Sequence, residues 1–424
     1  MKKSWAIVLC LALLFQTSWT VFAEDEPVTY QQEVFATIEE PEVEEVEAYL
    51  PGEDDQFDVS QSKDVPGDTC TEVSEGPISN DDSEFEIVNG VLVKYNGTAS
   101  DITIPSGVTQ IGEHAFQDCT MVRVTIPNSV TSIGERAFYG CENLKSVSFS
   151  YGVVIICREA FAMCGSLESI IIPDSVTSME DDVFKNCGAL TTVTLSKNLI
   201  KLGSGVFWFC KGLKSVDIPN NVTEVSRYAF VGCSSLSSVT IPDGVTSIGD
   251  SAFSGCSSLK TIRIPDSVGS IGTCAFQNCS ALTEIVIPEG VSFIDSDTFM
   301  GCTYLQDVYL PNTIQEISFR VFKGCKALTK IIIPDRVTAI GFSAFSDCIN
   351  LTDAQLPESL SIINYDAFYG CLQLKSITIP KNTKTVGRSA FEGCYGLNSI
   401  TVESNVVEIN DTAFKDVPKS ATFH

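Results

Sequence analysis

The sequence predicts a mostly-β solenoid: about 13 to 14 copies of a 23-residue unit stacked on one another, with a parallel sheet on one face and tight turns on the other. Three observations predict it. Phenylalanine recurs at Phe116, Phe138, Phe161, Phe184, Phe207, Phe230, Phe253, Phe276, Phe299, Phe322, Phe345, Phe368, Phe391 and Phe414, with a step of 22 once and 23 otherwise. Each copy also holds a short apolar/polar alternation ended by proline, and thirteen copies place cysteine three residues after the phenylalanine. Units repeating on a fixed period cannot bury an apolar face alone and do so by stacking on their neighbours.

The unit reads physically from one copy. Leu259 to Ile264 alternates with period two, which predicts a short strand with one face inward. Pro265 has no amide hydrogen and stops the ladder. Val268 and Ile271 then turn inward from an irregular segment, and Ala275-Phe276 starts a tight turn that drives a large ring into the core. The residue two after each phenylalanine is often Gly, Asn or Asp, which suits a positive-φ turn. Stacked strands form a parallel sheet with a spacing of about 4.8 Å.

The 17 cysteines suggest a disulfide framework until their spacing is considered. Cys119, Cys141, Cys164, Cys187, Cys210, Cys233, Cys256, Cys279, Cys302, Cys325, Cys348, Cys371 and Cys394 form one column inside a solenoid. Neighbours about 4.8 Å apart with parallel side chains exceed the roughly 3.8 Å between β-carbons that a disulfide prefers. They read as reduced thiols serving as small apolar fillers. A linear ladder does not converge the four ligands that zinc needs. Cys157 and Cys274 fall outside the column, as core or surface residues.

The pattern Leu-x-x-Ile-x-Ile-Pro-x-x-Val-x-x-Ile-Gly-x-x-Ala-Phe-x-x-Cys resembles the BspA-like, or Treponema-type, leucine-rich repeat family over about residues 100 to 424. Phe85 to Gly97, two β-rich runs about Asn89-Gly90, is similar to the hairpin that caps the amino end of such arrays. The resemblance implies a right-handed, horseshoe-like leucine-rich-repeat solenoid. It also implies a secreted or surface-exposed protein of the kind linked to adhesion to host matrix proteins or other bacteria, with no shared catalytic residues. The last copy departs from the pattern, with Val417 in the cysteine position. No sortase motif or hydrophobic carboxyl-terminal tail is evident, which argues against direct covalent wall anchoring.

Four segments follow. Residues 1–23 read as a signal peptide, with Lys2 and Lys3, an apolar run from Ala6 to Phe15 and Val21-Phe22-Ala23 at the cleavage site. Residues 24–84 hold 21 acidic residues and one basic residue, Lys63, and read as a disordered acidic tail or spacer. Cys70 stands alone there as the most exposed thiol, and Glu53-Asp54-Asp55 lacks the spaced ligands of a calcium loop. Residues 85–100 form the capping hairpin and 101–424 the solenoid. The net charge of −27 argues against nucleic acid and anionic membranes as partners. No segment of the mature chain is long and apolar enough to span a bilayer.

Chemistry has little to stand on. His114 and His424 are the only histidines and assemble neither a triad nor a zinc site. No phosphate-binding glycine loop is present, carboxylate pairs have no closed pocket to work in, and no cofactor is expected. The expected working surface is the outward strand face, eight and ten residues after each phenylalanine. Most of its residues are Ser or Thr, but adjacent copies carry Arg263, Glu284, Val286, Asp307, Tyr309, Lys330, Ile332 and Asp353. An exposed aromatic and two aliphatics flanked by charges suit a binding patch for an extracellular protein or glycan. Trp208 is a second candidate on the turn side. The alternative is a non-catalytic structural spacer or scaffold with the acidic tail as its contact region.

Overall fold

The computed structural model describes residues 84–403 and 407–424. The expected signal peptide, the acidic segment before Glu84 and Cys70 lie outside the described residues. Among the described residues every regular element is a short strand and there is no helix.

Phe85–Val88 and Val91–Tyr95 form an antiparallel hairpin. Asn89 and Gly90 join them with φ of 52° and 82°, the left-handed pair that suits the twist of a two-residue hairpin. The second strand then pairs in parallel with Gln110–Ile111, Leu92 opposite Ile111. The Tyr95 ring lies 5.3 Å from that of Phe116. The hairpin thus covers the core face that the first copy would otherwise leave open.

Each following copy contributes to three walls. The first is the expected sheet, in which Asp101–Thr103, Arg123–Ile126 and Ser146–Phe149 pair in parallel and in register. The sheet is not continuous, which corrects the expectation: pairing lapses between Ser146–Phe149 and Ser169–Ile171, between Asp307–Tyr309 and Lys330–Ile332, and between Asp353–Gln355 and Ser376–Ile379. Thr261 to Ile264 forms no strand, and the ladder also lapses between Ser238–Thr240 and Glu284–Val286. Ile262 and Ile264 are still buried. Alternation decides which side chains face inward, whereas strand pairing also requires both neighbours to be close enough to bond.

The second wall comes from the segment expected to be irregular. Its residues form two-residue parallel strands, from Gln110–Ile111 to Glu408–Ile409, with Ser247 opposite Ser270 and Ile248 opposite Ile271. The third wall holds the turns, and it too is bonded between copies. The amides of His114, Phe116 and Asp118 donate to the carbonyls of Glu135, Ala137 and Tyr139 at 3.0, 2.7 and 2.8 Å. This zigzag requires left-handed backbone on both sides of the phenylalanine. The expected position is two after it, as at Asp118 (57°) and Gly255 (74°). The position two before is equally left-handed, at His114 (57°), Arg136 (51°), Tyr228 (61°) and Ser251 (53°). That conformation costs on the order of 1–2 kcal/mol for a side-chain-bearing residue, and the inter-copy hydrogen bonds offset it.

The core is a column of stacked rings. Phe116 to Phe391 are fully buried, and adjacent rings from Phe116 to Phe414 lie 4.8–5.8 Å apart at 3–18°. Beside it runs the thiol column. Cys141 to Cys394 are free and buried, while Cys119 is half-buried. Filling is not their whole role. Each thiol from Cys141 to Cys394 donates to the carbonyl of the preceding copy's phenylalanine at 3.0–3.3 Å. Outside the column, Cys274 is a half-buried free thiol and Cys157 is buried.

Candidate functional site

The strand wall positions the eight residues singled out from the sequence. On a strand whose middle residue is buried, the two flanking residues point to solvent. Glu284–Val286 pairs with Asp307–Tyr309, setting Glu284 beside Asp307 and Val286 beside Tyr309. Lys330–Ile332 pairs with Asp353–Gln355, setting Lys330 beside Asp353. The apolar members face outward, with Val286 58%, Tyr309 56% and Ile332 57% exposed.

The charged members are not equivalent. Arg263 holds Asp243 at 2.7 Å, and this carboxylate keeps its guanidinium pKa above the ordinary value. The Lys330 ammonium lies 3.5 Å from Asp353, which is half-buried. Glu284 and Asp307 are neighbours of like charge, an arrangement that costs stability between adjacent strands. The lapse of the ladder at Thr261 to Ile264 separates Arg263 from strand pairing with its neighbours. The patch is therefore an apolar, acidic pair of strands flanked by cations that already have partners.

Trp208 is on the turn wall, as expected, but both of its faces are covered. The Lys185 ammonium lies 4.4 Å from the centroid of the indole, and the Tyr228 ring stacks on it at 5.4 Å. Gly205 separates Trp208 from Asp182, because a β-carbon there would stand 2.3 Å from Asp182 Oδ1 and 3.3 Å from the indole. Burial pushes the Asp182 carboxyl up to about 6, with Lys185 opposing the shift. His114 reaches only its neighbour Glu113, at 3.0 Å.

Sequence reasoning missed one exposed feature. Phe319, Phe342 and Tyr365 occupy the same position, three before the phenylalanine, in three consecutive copies, and all are exposed. Phe342 and Tyr365 meet edge to face at 5.3 Å, and the Arg320 guanidinium covers Phe319 at 4.1 Å. The signal was available, because other copies carry charged or small polar residues at that position.

Walls of short parallel strands, a buried ring column and an extended outward face define a leucine-rich-repeat solenoid. The chain belongs to the BspA-type leucine-rich repeat family, whose model of six copies matches residues 93–214, 201–329 and 315–423. It is similar to a leucine-rich repeat protein of Bacteroides ovatus, with 26% identity over 82% of this chain and 90% of that one and a TM-score of 0.63. It is also similar to a leucine-rich cell-surface protein of Faecalibacterium prausnitzii, with 30% identity over 83% of this chain and 95% of that one and a TM-score of 0.51. No curated protein sequence matches the chain significantly. Solenoids of this family are generally non-enzymatic binding scaffolds.

Proposed function

We propose that the protein is a secreted or surface-exposed adhesion protein that binds an extracellular protein or glycan through the outward strand face. The observation that carries this reading is the outward exposure of Val286, Tyr309 and Ile332 on adjacent copies, where most other copies carry Ser or Thr. Exposed apolar side chains in a polar setting are typical of contact surfaces. The likeness to a bacterial cell-surface protein supports an extracellular place of work.

The experiment is a binding screen of residues 24–424 against matrix proteins, bacterial surfaces and a glycan array, followed by Tyr309→Ala and Arg263→Glu. Saturable binding that survives removal of residues 24–84 and weakens about tenfold or more in Tyr309→Ala is expected. Binding that both substitutions leave untouched would remove the strand face from the proposal. Binding lost on removing residues 24–84 alone would move the contact to that segment.

A further inference from the structure

The turn wall carries a recess unrelated to the strand face. It is a shallow groove of about 470 Å³ that opens to solvent between the copies of Phe276 and Phe345. Its floor is backbone at Gly301 and Gly324, both left-handed at φ of 74° and 72°. A β-carbon on Gly324 would meet nothing closer than 4.0 Å, so the missing side chain is what leaves the floor open. A β-carbon on Gly301 would stand 2.2 Å from Asn278 Oδ1, so the Asn278 amide already lies across its end.

The lining is chemically mixed. Lys323 and Lys326 stand on one copy, and neither forms an ion pair among the described residues. Lys323 is felt electrostatically by Asp297 and Asp366, whose carboxyls it helps to hold down, but it contacts neither. Asp347 borders the groove with a carboxylate that accepts from the Ser346 hydroxyl at 3.1 Å. Met300 and Ile349 supply apolar surface.

A ligand that satisfies this set needs three properties together. It needs an anionic group for the two unpaired ammoniums. It needs hydroxyl donors for the Asp347 carboxylate and the Asn278 amide oxygen, which a sulfate ion does not supply and a phosphate supplies only singly or in pairs without an apolar face. It needs an apolar flank to lie against Met300 and Ile349. We infer that this groove binds a carboxylated sugar, with Lys323 and Lys326 holding the carboxylate, Asp347 and Asn278 taking ring hydroxyls, and the carbon-bound face of the sugar resting on Met300 and Ile349. The volume is of the order that one or two sugar units fill. The inference is independent of the strand-face reading and shares no residue with it.

The test is isothermal titration calorimetry of the full chain with a short oligosaccharide ending in glucuronic acid and its counterpart ending in glucose. The uronate form is expected to bind at least tenfold more tightly, and less tightly as salt rises. Lys323→Gln/Lys326→Gln, surface changes whose folding is checked by the melting curve, should abolish that preference. Tyr309→Ala should keep it. Equal affinity for both sugars, a preference kept by the double variant, or competition by inorganic phosphate as effective as by free glucuronate would each overturn the assignment. So would loss of the preference in Tyr309→Ala, which would place the sugar on the strand face.

Discussion

The thiol of Cys256 donates to the carbonyl oxygen of Phe230, one copy back along the solenoid, at 3.2 Å. That oxygen also accepts the amide of Cys233 at 3.1 Å, so the thiol is its second donor. Cys256→Ala removes a weak bond and some volume without orphaning the carbonyl. A loss of about 1–2 kcal/mol in unfolding free energy is expected, read from urea denaturation. A midpoint equal to the parent's would show that the thiol neither fills nor bonds.

Burial also governs the chemistry of these thiols. It pushes Cys302 and Cys394 up to about 12, far above working pH, so almost no thiolate is present. Labelling of the native chain with a thiol reagent at pH 8 should spare Cys141 to Cys394 and modify them only after denaturation. Mass spectrometry of the labelled peptides reads this directly. A column cysteine labelled at the same rate in native and denatured chain would contradict its burial.

The ring column makes position along the array matter. Phe253 is fully buried between Phe230 and Phe276, at 5.3 Å from each, whereas Phe414 is partly buried at the last copy. Phe253→Ala should cost about 3–5 kcal/mol and Phe414→Ala clearly less, compared by denaturation of the two variants. Equal costs would mean that the interior stack adds nothing beyond what the last copy retains.

Asp182 gives a pH dependence with a definite sign. Its carboxyl is raised to about 6, so the folded chain holds that proton more tightly than the unfolded chain, where it titrates at about 3.9. The stability it contributes is fully present below about pH 4 and is lost as pH rises through 6. Asp182→Asn should therefore be more stable than the parent at pH 7.5, with the gap closing towards pH 4. Trp208 is the one tryptophan beyond residues 1–23 and flanks the same glycine as Asp182, so its fluorescence should titrate near pH 6. A parent and an Asp182→Asn chain with the same flat titration would show an ordinary carboxyl.

Much of this was legible in the sequence because stacking forces periodicity. The phenylalanine and cysteine columns, the left-handed position at Asp118 or Gly255 and the outward placement of Tyr309 all follow from residue type at fixed spacing. The left-handed residues two before the phenylalanines from Phe116 to Phe391 did not. His114, Arg136, Tyr228 and Cys274 share no local preference for that backbone and are held there by bonds to the next copy. The second ladder was equally hidden, since two residues such as Ser270–Ile271 carry too little pattern to announce a strand. In the binding patch, exposure could be read from alternation, but the pairing of Arg263 with Asp243 joins residues 20 apart that no strand register relates. The groove at Gly324 depends on absent atoms across several copies, which no single copy displays.

The inter-copy bonds have a consequence for how such a chain changes size. The turn amide of Phe253 meets the carbonyl of Ala275, and its strand and thiol counterparts likewise join equivalent places in adjacent copies. Excising one whole period from the middle brings together two ends that already fit, because the turn amides, thiols and rings recur from copy to copy even where the strand ladder lapses. Gene-level gain or loss of a period therefore lengthens or shortens the array like links in a chain, leaving its cross-section intact while changing which surface residues become neighbours.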